Sequence, residues 1–101
     1  MTSKVEYYFY SGNFIQFKYW KNEEGLAHRE DGPAYEYVSG ARKWYKNGLL
    51  HREDGPALVW GDGFHEYYLN NEQYSKEEYW KEIEKITKER ERKRNDFKGR
   101  I

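Results

Sequence analysis

Two histidines raise the question of chemistry. His28 and His51 each stand three residues before an aspartate, Asp31 and Asp54, and directly before an arginine, Arg29 and Arg52. Histidine beside a carboxylate is the pairing used for general acid–base work, and the same groups ligate metals. The competing reading is a turn. Asp31-Gly32 and Asp54-Gly55 supply a bend, Pro33 and Pro56 fix φ, and each arginine pairs with a nearby carboxylate.

Repetition decides between them. Residues 25–34 read GLAHREDGPA and residues 48–57 read GLLHREDGPA, so His28 recurs at His51 after 23 residues. Catalytic sites are rarely duplicated at fixed spacing, whereas the linkers of a repeat array must be. His28, Arg29, Asp31, Gly32 and Pro33, with His51, Arg52, Asp54, Gly55 and Pro56, are therefore read as structural linkers. No catalytic residue, metal site or cofactor site is expected. A metal shared between neighbouring turns would have only histidine and carboxylates to use. The chain has no Cys, which excludes disulfides, thiolate catalysis and Cys-based zinc sites. Gly61-Asp62-Gly63 begins like a dinucleotide-binding loop, but Glu66 stands where the third glycine should be. No serine lies in a nucleophile elbow.

The linkers must be held by the segments between them. Residues 5–10 and 14–20 alternate in β-fashion around Ser11-Gly12-Asn13 and predict a hairpin. Residues 35–38 and 41–46 predict a second, turning at Ser39-Gly40. Residues 58–60 and 64–69 predict a third. The 23-residue offset places Tyr19, Trp44 and Tyr67 at one position and Trp20, Tyr45 and Tyr68 at the next, with Glu23-Glu24 as a two-residue insertion in the first unit. Neighbouring strand positions face opposite ways, so each face should carry its own aromatic ladder. After Asn70-Asn71 a third HREDGPA is due and does not come. Ser75 with Glu78 forms a capping box instead. Tyr79, Trp80, Ile83 and Ile86 then recur at helical spacing, and Trp80 is expected to be buried over the third hairpin. The helix should extend over residues 88–94 and fray near Asn95. The fold class is mainly β: three stacked hairpins in a meander, capped by a C-terminal helix. Residues 1–74 form the repeat body, with units at about 5–24, 34–47 and 57–70. Residues 75–101 form the cap and a basic tail.

The unit WYKNGLLHREDGPA, followed by a short strand and a glycine turn, resembles a MORN-like family of short β-hairpin repeats common in bacteriophage and large-virus proteins. The resemblance covers about residues 19–71, and the switch to a helix through YSKEEYW is similar to that family's usual ending. It implies stacked hairpins, a viral source and a binding or scaffolding role rather than a reaction. The long first hairpin and the Glu23-Glu24 insertion depart from the pattern.

Composition narrows the partner classes. The 101 residues include eleven Tyr and four Trp, and the formal net charge is zero. Overall charge therefore points to neither nucleic acid nor membrane. Its distribution is uneven: residues 1–80 carry nine Lys/Arg against thirteen Asp/Glu, and residues 81–101 carry nine against five. No apolar run reaches membrane-spanning length, and residues 1–4 lack a signal-peptide core, so a cytoplasmic protein is expected. The sequence thus reads as a non-enzymatic binder, of phage origin by resemblance, that occludes a host protein or defence complex. The alternative is a nucleic-acid-binding module. Candidate contacts are Tyr19, Trp44, Tyr67, Trp20, Tyr45 and Tyr68 on the ladders, and Arg90, Arg92, Lys93 and Arg94 in the tail.

Overall fold

Alternating β-branched and aromatic residues, broken by Gly and Asn, become short antiparallel strands, and the capped C-terminal segment becomes one helix. The computed structural model describes the backbone of residues 4–10 and 14–98 and the side chains of residues 17–95. The turn at Ser11-Gly12-Asn13 and the side-chain faces of the first strand lie outside these. The described elements are β1 (Lys4–Tyr10), β2 (Phe14–Lys21), β3 (Tyr35–Tyr37), β4 (Arg42–Lys43), β5 (Tyr45–Lys46), β6 (Leu49–Leu50), β7 (Leu58–Val59), β8 (His65–Leu69), β9 (Glu72–Tyr74) and α1 (Lys76–Lys98). Seven strands form one sheet in the order β1-β2-β3-β4-β7-β8-β9, while β5 and β6 form a separate ribbon. The expected hairpin meander with a helical cap is present.

The expected return strand over residues 41–46 is divided. It leaves the main sheet at Trp44, whose N–H donates to the Ala57 carbonyl at 2.8 Å while its carbonyl accepts the His51 N–H at 3.0 Å. Beyond that point the chain pairs with β6 rather than β7. Two strands were not anticipated from sequence, β6 and β9. Both follow turns in which two consecutive residues have positive φ: Asn47 (49°) with Gly48 (83°), and Asn70 (50°) with Asn71 (70°). Such turns match the twist of a tight hairpin, so the chain folds back immediately and pairs. The helix begins at the expected capping box. Glu78 N–H donates to Ser75 Oγ at 3.1 Å, and Ser75 N–H donates to Glu78 Oε1 at 3.2 Å. It runs to Lys98 without ending near Asn95.

The ladder register also differs by one residue. Trp20, not Tyr19, is the counterpart of Trp44: its N–H donates to Ala34 at 2.9 Å and its carbonyl accepts from His28 at 3.0 Å. Eight positions separate Trp20 from His28 and seven separate Trp44 from His51, so the first unit's net insertion is one residue, not two. A one-residue slip in a strand exchanges its two faces. Trp20, Trp44 and Tyr67 therefore share one face, and Tyr19, Tyr45 and Tyr68 share the other.

The core is thin and lies at the joints between repeats. Ala34 and Ala57, the last residues of the two linkers, are fully buried, with Leu58, Leu69, Asn22 and His28. Asn22 lies within the first turn. Its Oδ1 accepts the N–H groups of Glu24 and Leu26, and its Nδ2 donates to Asn47 Oδ1 of the next unit at 3.0 Å. The helix contributes Tyr79, which is 0% exposed, whereas Trp80 is 43% exposed. The expectation that Trp80 is the buried anchor is thus corrected. Adjacent helix positions point about 100° apart, and the capping geometry turns Tyr79 toward the sheet.

Candidate binding site

The two HREDGPA loops share the same set of histidine and arginine bonds to their own loop and the next turn. His28 Nδ1 accepts the backbone N–H of Asn47 at 3.0 Å, and His51 Nδ1 accepts that of Asn70 at 3.0 Å. Accepting at Nδ1 places the proton on Nε2, which then donates to Glu30 at 2.9 Å and to Glu53 at 2.8 Å. Each histidine therefore ties its own loop to the tight turn of the following repeat. Both ring nitrogens are used, and among the described residues no group of three or more His, Asp or Glu is placed to hold a metal ion. The arginines are equally committed. Arg29 and Arg52 lie 3.9 Å over the rings of Trp20 and Trp44. Their Nε groups donate to Asp31 and Asp54, and their Nη1 groups donate to the carbonyls of Pro33 and Pro56 at 3.1 Å. This twofold geometry accounts for the duplicated motif as a joint between repeats.

Asp31-Gly32 and Asp54-Gly55 lie in bends, as expected, and the glycines also leave room for the arginines. Gly32 and Gly55 do not have positive φ. A Cβ on Gly32 would come 2.9 Å from Arg29 Cζ, and one on Gly55 would come 3.0 Å from Arg52 Cζ. Glycine leaves the space in which the guanidinium lies over its tryptophan ring.

Tyr79 occupies the place of the missing third loop. Its ring packs on Tyr67 at 4.8 Å, as Arg52 packs on Trp44. Its hydroxyl donates to the Arg52 carbonyl and accepts the Gly55 N–H at 3.2 Å. Burial raises its phenol pKa above the ordinary 10.0. Farther along the helix, Arg90 holds Glu53 bidentately at 2.7 and 3.1 Å. That hydrogen-bonded guanidinium, with help from His51, lowers the Glu53 carboxyl to about 2.

The opposite sheet face is aromatic. Strand register puts Phe17, Tyr19, Tyr35, Tyr37 and Lys43 together, and Leu58 and Glu66 continue the same face. Tyr19 stacks on Tyr35 at 5.0 Å, Phe17 lies 5.2 Å from Tyr37, and Tyr35 lies 5.4 Å from Tyr45. Lys43 Nζ stands 5.2 Å from the Tyr37 ring. Toward the helix end, Glu66 accepts from Trp60 Nε1 at 2.8 Å and from the Tyr68 hydroxyl at 3.0 Å. Burial and neighbouring tyrosines raise the Tyr35 phenol above 10.0. These rings are half-buried mainly against one another, apart from the exposed Trp60.

The ten linker residues thus lie in two equivalent joints. Of the ladder residues, Tyr19, Tyr45 and Tyr68 belong to the aromatic face, whereas Trp20, Trp44 and Tyr67 are covered by Arg29, Arg52 and Tyr79. In the tail, Arg90 pairs with Glu53 and Arg92 with Glu89, while Lys93 and Arg94 are exposed. Phe17, Tyr35, Tyr37 and Trp60 are not among the contacts read from the sequence. The alternation Tyr35-Glu36-Tyr37 carried the signal, but only strand pairing aligns it with Phe17 and Tyr19. Among the described residues, no helix is long and apolar enough to cross a membrane. In comparison with known proteins, the chain matches no family model, no curated protein and no solved structure.

Proposed function

We propose that this chain is a non-enzymatic binding protein that presents its aromatic sheet face to a partner protein. One observation carries the reading. Seven rings (Phe17, Tyr19, Tyr35, Tyr37, Tyr45, Trp60 and Tyr68) share one face of the sheet. Tyrosine suits such a role because its ring buries large area at low entropic cost and its hydroxyl keeps the face wettable. Lys43 and Glu66 supply opposite charges within the patch, which favours a partner surface of mixed polarity. The histidines and arginines that suggested chemistry are occupied in joints, which leaves binding as the better use of this fold. The resemblance to MORN-like phage repeats extends the proposal to a phage-encoded protein that occludes a host protein or defence complex. Nucleic acid is the weaker partner, because Arg90 is held by Glu53 of the second loop and Arg92 by Glu89.

The test uses the full chain immobilised in parallel with a Tyr37→Ser, Tyr45→Ser variant of equal melting temperature. A host protein retained by the first and lost by the second supports the proposal. Equal retention on both refutes it, as does a partner released by nuclease and by modest salt.

A further inference from the structure

The two linker loops are equivalent, yet only one has its carboxylate filled. Glu53 accepts the Arg90 guanidinium through both oxygens while holding the His51 Nε2 proton, and its side chain is 31% exposed. Glu30 holds the His28 Nε2 proton in the same way, at 2.9 Å, but its side chain is 59% exposed. Among the described residues its one side-chain partner is His28. The anchor behind it is the same, since each histidine is fixed at Nδ1 by a backbone N–H of the next repeat. Glu30 is thus oriented as Glu53 is, without the cation.

Space for that cation is present. A groove of about 650 Å³ runs between the two loops, lined by Glu30, Asp31, Trp44, Lys46, Glu53 and Asp54 among others. Its four carboxylates face three cations, Arg29, Lys46 and Arg52; Asp31, Asp54 and Glu53 are already held by arginines, which leaves Glu30. The inner part is filled by Arg52 lying on Trp44, the position that Tyr79 takes on Tyr67 in the following unit. A helix equivalent to α1 therefore cannot seat fully here. A single extended side chain entering from outside can reach Glu30.

We propose that Glu30 and the groove beside it form a receptor for an arginine side chain of a partner polypeptide. The fork of a guanidinium matches two carboxylate oxygens, as Arg90 on Glu53 demonstrates within this chain, whereas an ammonium meets them as a point charge. The groove meets the aromatic face at Tyr45, but the site is centred on Glu30 and its test reads Glu30, so it stands or falls separately from the binding role proposed there.

The experiment titrates the full-length protein with acetyl-Gly-Arg-Gly-amide and with its lysine counterpart. Backbone amide shifts and the side-chain carboxylate carbon shift of Glu30 are followed by NMR. The arginine peptide should shift Glu30 and the amides of residues 28–32 saturably, with about five-fold or greater preference over lysine. Glu30→Gln should abolish that response. Its amide oxygen still accepts from His28, and an unchanged melting curve checks that the loop persists. Equal responses to the two peptides, a response centred on Glu53, or full binding by Glu30→Gln would overturn the assignment. So would a dimer that Glu30→Gln dissolves, because the groove would then serve a second copy of the chain.

Discussion

Tyr79 is the most informative residue to perturb, because one side chain replaces an entire missing repeat. Its ring is fully buried against Tyr67, and its hydroxyl bridges the Gly55 N–H and the Arg52 carbonyl. Tyr79→Phe keeps the ring and removes the bridge, leaving a donor on buried Gly55 and an acceptor on Arg52 unpaired. Leaving such groups unsatisfied costs about 1–3 kcal/mol. For a domain of this size that corresponds to a fall in melting temperature of roughly 5–15 °C. Tyr79→Ala also deletes the ring and opens a cavity, at about 3–5 kcal/mol. That is a large share of a margin of about 5–15 kcal/mol. Trp80, one position on and 43% exposed, serves as the control: Trp80→Ala should cost much less than Tyr79→Ala. Circular dichroism melts and urea titrations at neutral pH measure all three. If Tyr79→Phe melts with the wild type, the hydroxyl bridge contributes nothing to the cap. If Trp80→Ala costs as much as Tyr79→Ala, the helix is seated on the wrong face. Alkaline pH adds a second readout. The folded phenol is raised above 10.0, so its contribution is fully present below about pH 10 and is lost as pH rises further, when the unfolded chain ionises first. Tyr79→Phe should flatten that alkaline loss.

Two other outcomes follow from the joints. Glu53 is lowered to about 2 in the fold from 4.5, so its contribution is present above about pH 4.5 and disappears as pH falls toward 2; Arg90→Gln should shrink this acid limb of the stability profile, and an unaltered limb would mean the clasp is not formed in solution. Gly61→Ala should lower stability by about 1–3 kcal/mol through overpacking, because its Cβ would stand 2.5 Å from the Ser39 carbonyl oxygen of the neighbouring hairpin tip; a melt equal to wild type would show that the two tips part freely.

Local and periodic information in the sequence determined a good deal. The repeated HREDGPA located the joints, the alternating aromatic runs located the main hairpins, and Ser75 with Glu78 located the start of the cap. These signals act within a few residues, or recur at fixed spacing, so no tertiary context is needed to read them. That His28 and His51 sit at equivalent joints was legible from duplication alone. What tertiary structure decided turns on parity and reach. A single extra residue between Trp20 and His28 is nearly invisible in a 23-residue offset, yet it exchanges the two faces of the strand and separates Tyr19 from Trp44. Helical spacing marked Tyr79 and Trp80 equally, and only the angle at which the capped helix meets β8 buries one and leaves the other in water. Gly55 read correctly as part of a bend, but the close approach of Arg52, which lies over Trp44, was not visible from its neighbours. The pairing of Glu53 with Arg90 spans 37 positions, a contact that no local pattern encodes. It arises only because the helix, once seated by Tyr79, carries its arginine back over the second loop.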